Sequence, residues 1–210
     1  MSLAVDRYEL GPVGTNGYLV RASQASNEAV VVDPGGNAAD LRLELARLGA
    51  TCTAILVTHT HYDHIGGVAD LAEGTGAPVY ISEVEAPVLA QPDDFYPGQA
   101  IRPWAAPRKL RGDERLELAG ITFETLPVPG HSPGHLAFRA AGALFSGDVL
   151  FAGSVGRTDL PFSDWDTLVE SIRTLMDRFP PETVVYSGHG PPTTLGAERE
   201  RNPFLTALRA

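Results

Sequence analysis

The chain has 210 residues, 43% of them apolar, and a formal net charge of −10. That length supports one substantial core, so a single domain over 1–210 is expected, and the acidic balance argues against a nucleic-acid partner. The sequence holds no apolar run of about 18 residues, and MSLAVDRYEL lacks the basic-then-apolar order of a secretory leader. The expectation is therefore a cytoplasmic protein with no membrane partner that acts on a small molecule, its oligomeric state left open.

Short β-rich segments come first, at 5–10, 17–22 and 28–33, the last ending in the turn Pro34-Gly35-Gly36. The period then changes: Asn37 can cap a helix that places Leu41, Leu45 and Leu48 on one face, and Gly49 stops it. TAILV (53–57) is a short continuous apolar run, as in a strand covered on both faces. Cys52 just before it is the only cysteine, which excludes a disulfide framework or a thiolate metal cluster and reads as a core thiol. A helix to about Ala72 and a strand at 78–82 follow. The segment 91–108, with four prolines, is too long for a simple connector and reads as a lid or binding loop. Phe95, Tyr96 and Trp104 within it read first as local core. Strand character returns with RLEL, ITFETLPV, HLAFRA and ALFSGD, then a helix over 163–179, a strand at 183–186 and a terminal helix interrupted at Pro203. Strands, helix, strand and helix recur in each half. The architecture expected is α+β, an αββα sandwich of two mixed sheets with helices on the outer faces.

Three of the chain's six histidines, His59, His61 and His64, fall with Asp63 inside VTHTHYDHIGG (57–67). They stand between a buried strand and a helix, at the strand end where αβ proteins build sites. Extended backbone points His59 and His61 the same way, and the turn into the helix carries Asp63 and His64 to a second point, so two adjacent metal positions are expected. His131 in PGHSPGH, Asp148 in FSGD and His189 in YSGHG also follow predicted strands. Composition alone would generate HxHxDH in only on the order of one in several thousand such chains, so a metal site is the reading.

THTHYDH followed by His131, Asp148 and His189 resembles the full ligand set of the metallo-β-lactamase superfamily, from the VVVDPGG element to His189. The resemblance implies one metal on His59, His61 and His131 and another on Asp63, His64 and His189, with Asp148 bridging and Asp63 also orienting the nucleophile. It makes Asp33 similar to the family's buried aspartate that braces the ligand loop. His135 reads as a hydrogen-bonding support behind the ligands. Arg157 and Asp159 in GRTD either order a loop near the metals or meet the substrate.

β-Lactamases proper resemble the chain less, because they lack an aspartate like Asp148, and RNA-processing members would want a basic face. PGHSPGH with GSVGRTDLP (153–161) and TTLGAERERNPF (193–204) is instead similar to short proteins of the glyoxalase II, or hydroxyacylglutathione hydrolase, type. That implies two divalent metals, zinc first and iron or manganese next, and hydrolysis of a thioester such as S-lactoylglutathione through a metal-bridging hydroxide. A thiolate leaving group needs little acid catalysis, whereas an amide needs a proton donor, and none is evident in the motifs. Glyoxalase II proper adds a helical domain that grips glutathione, but 21 residues follow His189 in this 210-residue chain, so substrate-binding residues stay unassigned. Persulfide dioxygenases also resemble the chain and would use a single Fe(II) on His59, His131 and Asp148. A non-catalytic metal scaffold would show damage among the ligands, and the sequence shows none.

Overall fold

Which way each strand residue points decides which layer it joins, because successive side chains face opposite sides of a sheet. The computed structural model describes residues 3–106 and 108–209. A first sheet runs in the order β1 (Ala4–Leu10), β2 (Thr15–Arg21), β3 (Glu28–Val32), β4 (Thr51–Leu56), β5 (Val79–Ser82) and β6 (Arg108–Leu110). Its first three strands pair antiparallel and its last four parallel. A second sheet holds β7 (Arg115–Leu118), β8 (Ile121–Pro127), β9 (Leu136–Ala140), β10 (Ala143–Gly147), β13 (Val184–Ser187) and β14 (Thr193–Thr194), with β10 and β13 parallel. Between them in sequence, β11 (Leu150–Phe151) and β12 (Ser154–Val155) form a separate short hairpin.

Parallel neighbours need crossovers, and helices supply them. These are α1 (Ala38–Arg47), α2 (Tyr62–Ile65), α3 (Val68–Thr75) and α4 (Ala86–Ala90) around the first sheet, with α5 (Trp165–Arg178) and α6 (Leu195–Arg201) on the second. Tyr18, Val20, Val30, Val32, Ala54 and Leu56 point inward to meet Phe123, Phe138 and Phe145 of the opposite sheet. The alternate residues Leu19, Val31 and Ile55 point outward onto Leu41, Leu45, Val68 and Leu71 of the helices. On the other side Ala137, Leu144 and Val185 meet Leu168, Ile172 and Leu175 of α5. The sandwich expected from the sequence is the fold observed, and the TAILV strand is covered on both faces. Cys52 is buried, and desolvation pushes its thiol up to about 11, which leaves it inert near neutral pH.

Several local expectations differ. Asn37 stands at the start of α1, but its amide donates to Asp40 Oδ2 at 2.5 Å and does not cap a backbone N–H. The helix read through to Ala72 is two, because Gly67 N donates to Pro34 O at 2.9 Å and breaks the run. In the 91–108 segment, Tyr96 and Trp104 pack on the outer core of the first sheet. Phe95, read as core, is 48% exposed. No helix among the described residues is long and apolar enough to cross a membrane.

Candidate metal centre

Strands of both sheets end along one edge, and the polar residues just beyond them meet there. Past β4 come His59 and His61, past β8 His131, past β10 Asp148 and past β13 His189, while α2 turns Asp63 and His64 inward. Donor atoms of His59, His61 and His131 lie within 4.8 Å of one another, as do those of Asp63, His64 and His189. Asp148 stands between these groups, its Oδ2 3.6 Å from His131 Nε2 and 3.4 Å from His189 Nε2, its Oδ1 3.3 Å from His64 Nε2. A Cβ at position 188 would run into Asp148 and His64, so Gly188 is what lets the last strand end approach.

Hydrogen bonds behind the rings decide which nitrogen faces the centre. Thr58 Oγ1 donates to Asp33 Oδ2 at 2.7 Å, so it must accept from His59 Nδ1 at 3.1 Å. His64 Nδ1 donates to Asp33 Oδ2 at 3.0 Å and His131 Nδ1 donates to the Arg157 carbonyl at 2.8 Å. Each turns its Nε2 inward, the arrangement by which outer partners orient metal ligands. His64 Nε2, His131 Nε2 and Asp148 Oδ1 are buried without a hydrogen-bond partner. Orphaned buried polar atoms are costly, and divalent cations at the two donor groups would give these atoms partners, His64 Nε2 giving up its proton to do so.

His135 belongs to none of the potential metal-holding groups; its ring stacks on His59 with centroids 4.4 Å apart, and Nε2 donates to the Ser146 carbonyl at 3.1 Å. Arg157 contributes its backbone carbonyl to His131, while its guanidinium is clasped by Asp159 at 2.6 and 2.7 Å. Sequence reasoning missed Thr15, which donates to Asp63 Oδ2 at 2.6 Å, and Glu85, a buried carboxylate behind both histidine loops. Glu85 Oε1 accepts from Ser132 Oγ at 2.7 Å and Gly134 N at 3.0 Å, and Oε2 accepts from the hydroxyl and backbone N–H of Thr60.

The two ends of the centre differ electrically. Burial pushes His59 well below its usual range and His61 down to about 4, while His131 is also lowered. Hydrogen bonds to Asp148 and Asp63 raise His189 to about 9, and Asp148 and Asp33 overcome burial to raise His64. Near neutral pH the metal-free His64 and His189 therefore carry protons where the first end has lone pairs. A metal binding at His64 and His189 must displace those protons, so its affinity is expected to rise with pH through neutrality, for the His189 proton until about 9, with release of about two protons. Binding by His59, His61 and His131 should be nearly pH-independent there. Calorimetric titration of the metal-free protein in buffers of different ionisation enthalpy checks this, and equal proton release at both ends would contradict it.

Comparison with known proteins bears on this geometry. The family model of the metallo-β-lactamase superfamily matches residues 10–189. The chain belongs to the metallo-β-lactamase superfamily. Superfamily relatives include the probable metallo-hydrolase YqgX of Bacillus subtilis, 36% identical over 96% of this chain and 97% of that protein. Hydroxyacylglutathione hydrolase GloC of Haemophilus influenzae is 36% identical over 85% of this chain and 88% of its own. Among solved structures, BLEG-1 B3 metallo-β-lactamase superposes with TM-score 0.90 and 40% identity, covering 97% of this chain and 100% of that one. TTHA1623 in a di-iron-bound form gives TM-score 0.83 and 41% identity over 96% and 100%. ETHE1 from Myxococcus xanthus gives 0.81 and 27% over 95% and 83%. Membership in this superfamily gives the broad class, a metal-dependent hydrolase with histidine and aspartate clusters fit for divalent ions. BLEG-1 at 40% identity and GloC at 36% stand at similar distances from this chain, so identity over the whole scaffold does not by itself choose between a lactam and a thioester substrate.

Proposed function

We propose that the protein is a dinuclear metallohydrolase of the glyoxalase II type that cleaves a thioester, S-lactoylglutathione or a related 2-hydroxyacyl thioester being the first to test. His59, His61 and His131 would hold one ion and Asp63, His64 and His189 the other, with Asp148 between; zinc leads, and iron or manganese suits the same donors. The observation that carries this reading is the position of Asp148, whose Oδ2 lies within 3.6 Å of His131 in one group and 3.4 Å of His189 in the other. Likeness to GloC supports the substrate class, and likeness to a di-iron-bound protein supports two ions.

Two divalent ions so held would supply a strong nucleophile from water at neutral pH and polarise the carbonyl. The chain's part is to position and to exchange protons. Burial tends to raise Asp63, but His189, the charge of His64 and Thr15 together hold it down at about 2, so it stays an acceptor able to orient the attacking water. Overall, the water oxygen forms the new C–O bond as the C–S bond breaks, and the thiol, with a pKa of about 8.5, departs without strong acid help. Tyr96 lines a cavity whose floor holds His61, Asp63, His131, Asp148 and His189, and burial with the charges of Glu85 and Asp63 pushes its phenol up to about 12, making it a neutral O–H donor there. No such donor was legible in the motifs.

A mononuclear Fe(II) persulfide dioxygenase on His59, His131 and Asp148 is the second reading, favoured by the likeness to ETHE1. It leaves Asp63, His64 and His189 with no ion to hold. One preparation should be taken through elemental analysis, thioester cleavage, β-lactam cleavage and oxygen consumption. The expected result is two metals per chain at full loading, thioester turnover, no oxygen uptake and a single metal in His189→Ala. One metal at saturation with oxygen uptake on a persulfide would sink the hydrolase reading. Turnover of a β-lactam but of no thioester would overturn the substrate class.

A further inference from the structure

The metal-facing donors form only the floor of a cavity of about 850 Å3. Its outer wall is mostly apolar: Val13, Tyr62, Phe95 and Phe162 line it and stand 47%, 36%, 48% and 82% exposed, half of the exposed large hydrophobic side chains among the described residues. Exposed apolar groups scattered singly need no explanation, but four gathered around one opening mark a binding surface. Charge in the wall is sparse. Away from the candidate ligands, the charged residues lining it are Asp94 and Arg157, and the Arg157 guanidinium is already held by Asp159.

Phe162 is held in place at a cost. The turn Leu160–Ser163 closes through Ser163 N donating to Leu160 O at 3.2 Å, with Pro161 at its second position and Phe162 at its third, where φ is 65°. Turns of that shape call for glycine or asparagine at the third position, because other side chains are strained at positive φ. Ser163 Oγ fastens the same turn, donating to Leu160 O at 2.6 Å and accepting from Leu160 N at 3.1 Å. Core packing does not account for a strained phenylalanine that is 82% exposed. Local strain of this kind collects where a site uses it.

We infer that the Phe95–Phe162 wall is a specificity site for an uncharged, apolar thiol carrier, and that glutathione, a tripeptide with two free carboxylates, is a poor one. This rests on the thioester reading above. A 2-hydroxyacyl group is small and polar and is expected at the cavity floor, so the carrier fills the remainder. There it meets mostly aromatic and aliphatic side chains, with Gln99 and the anionic Asp94, and no unengaged cation among the described lining residues. A carboxylate placed against that wall would lose water and find no free cation, only the neutral donors Tyr96 and Gln99, which offset part of that loss.

Two measurements separate this inference from the reading beneath it. In the first, the metal-loaded enzyme hydrolyses one 2-hydroxyacyl group carried on benzyl mercaptan, on N-acetylcysteamine and on glutathione. The benzyl thioester is expected to show the highest kcat/KM, at least about tenfold above glutathione and mainly through KM. In the second, saturation-transfer NMR follows the non-reactive thioethers benzyl methyl sulfide and S-methylglutathione on the metal-loaded and metal-free protein. Binding of the benzyl compound alone supports the wall even if no thioester is cleaved, an outcome that would sink only the thioesterase reading. Phe162→Asn removes the ring and suits positive φ, so its Tm should be unchanged or higher while the benzyl preference and the NMR signal collapse. Preference for the glutathione compound in either measurement, or an intact benzyl preference in Phe162→Asn, overturns the inference.

Discussion

Asp148→Ala is expected to abolish hydrolysis, by at least about a thousandfold in turnover or roughly 4 kcal/mol, and to weaken metal binding at both ends of the centre. Its two oxygens reach different partners, Oδ1 toward His64 and Oδ2 toward His131 and His189. Burial tends to raise this carboxyl, but the charge of His64 and the hydrogen bond to His189 hold it well below the usual range, so it brings a full negative charge to a place with little water. Removing it leaves a hole between the two donor groups and takes away the charge that would offset two cations. Asp148→Asn separates shape from charge. The amide keeps one acceptor oxygen, but its NH2 turns two donors toward ring nitrogens that should face a metal, so partial metal retention with little activity is expected. Elemental analysis of dialysed protein, with thioester assays on the same samples and circular dichroism to verify folding, reads both variants. Near-normal turnover in either one would reject the bridging role.

What was legible in the sequence had a local cause. The sandwich could be read because its strands are short apolar runs such as Val30 to Val32 and Ala54 to Val57, whose alternate residues enter two different cores. Histidines and aspartates placed directly after such runs had to emerge at strand ends, which is why His59, His131, Asp148 and His189 were all visible as candidates. The failures had no local signal. Helix α4 begins with Pro87 next to its first residue and spans 5 residues, too few for a period to show. Strands of two residues, such as β11, β12 and β14, exist only through their partners. Phe95 reads as core in any apolar count, and only the third dimension puts it at a cavity mouth. Phe162 sits in a turn position that sequence rules reserve for glycine or asparagine, so its conformation had to be seen. Glu85 binds residues 25, 47 and 49 positions away, beyond the reach of any motif.

That last residue carries the second large effect. Glu85→Gln is expected to lower metal affinity at the His59, His61 and His131 end by about 10- to 100-fold, roughly 1.4 to 2.7 kcal/mol, with a smaller change at the Asp63, His64 and His189 end. A buried carboxylate is acceptor-only, and here both oxygens are used. Oε2 holds Thr60, the residue between His59 and His61, and Oε1 holds Ser132 and Gly134 beside His131. Glutamine matches the shape but accepts on one side only. Its NH2 must oppose donors on the other, releasing one of the two loops and leaving a buried donor unsatisfied. The Asp63, His64 and His189 group lacks this support and relies on Thr15 and Asp33, so it should be affected less. Competition with a chelator of known affinity, followed separately for the two equivalents of metal, measures the asymmetry. Equal losses at both ends would mean a general loosening of the fold, and unchanged affinity at the first end would show that Glu85 does not position these histidines.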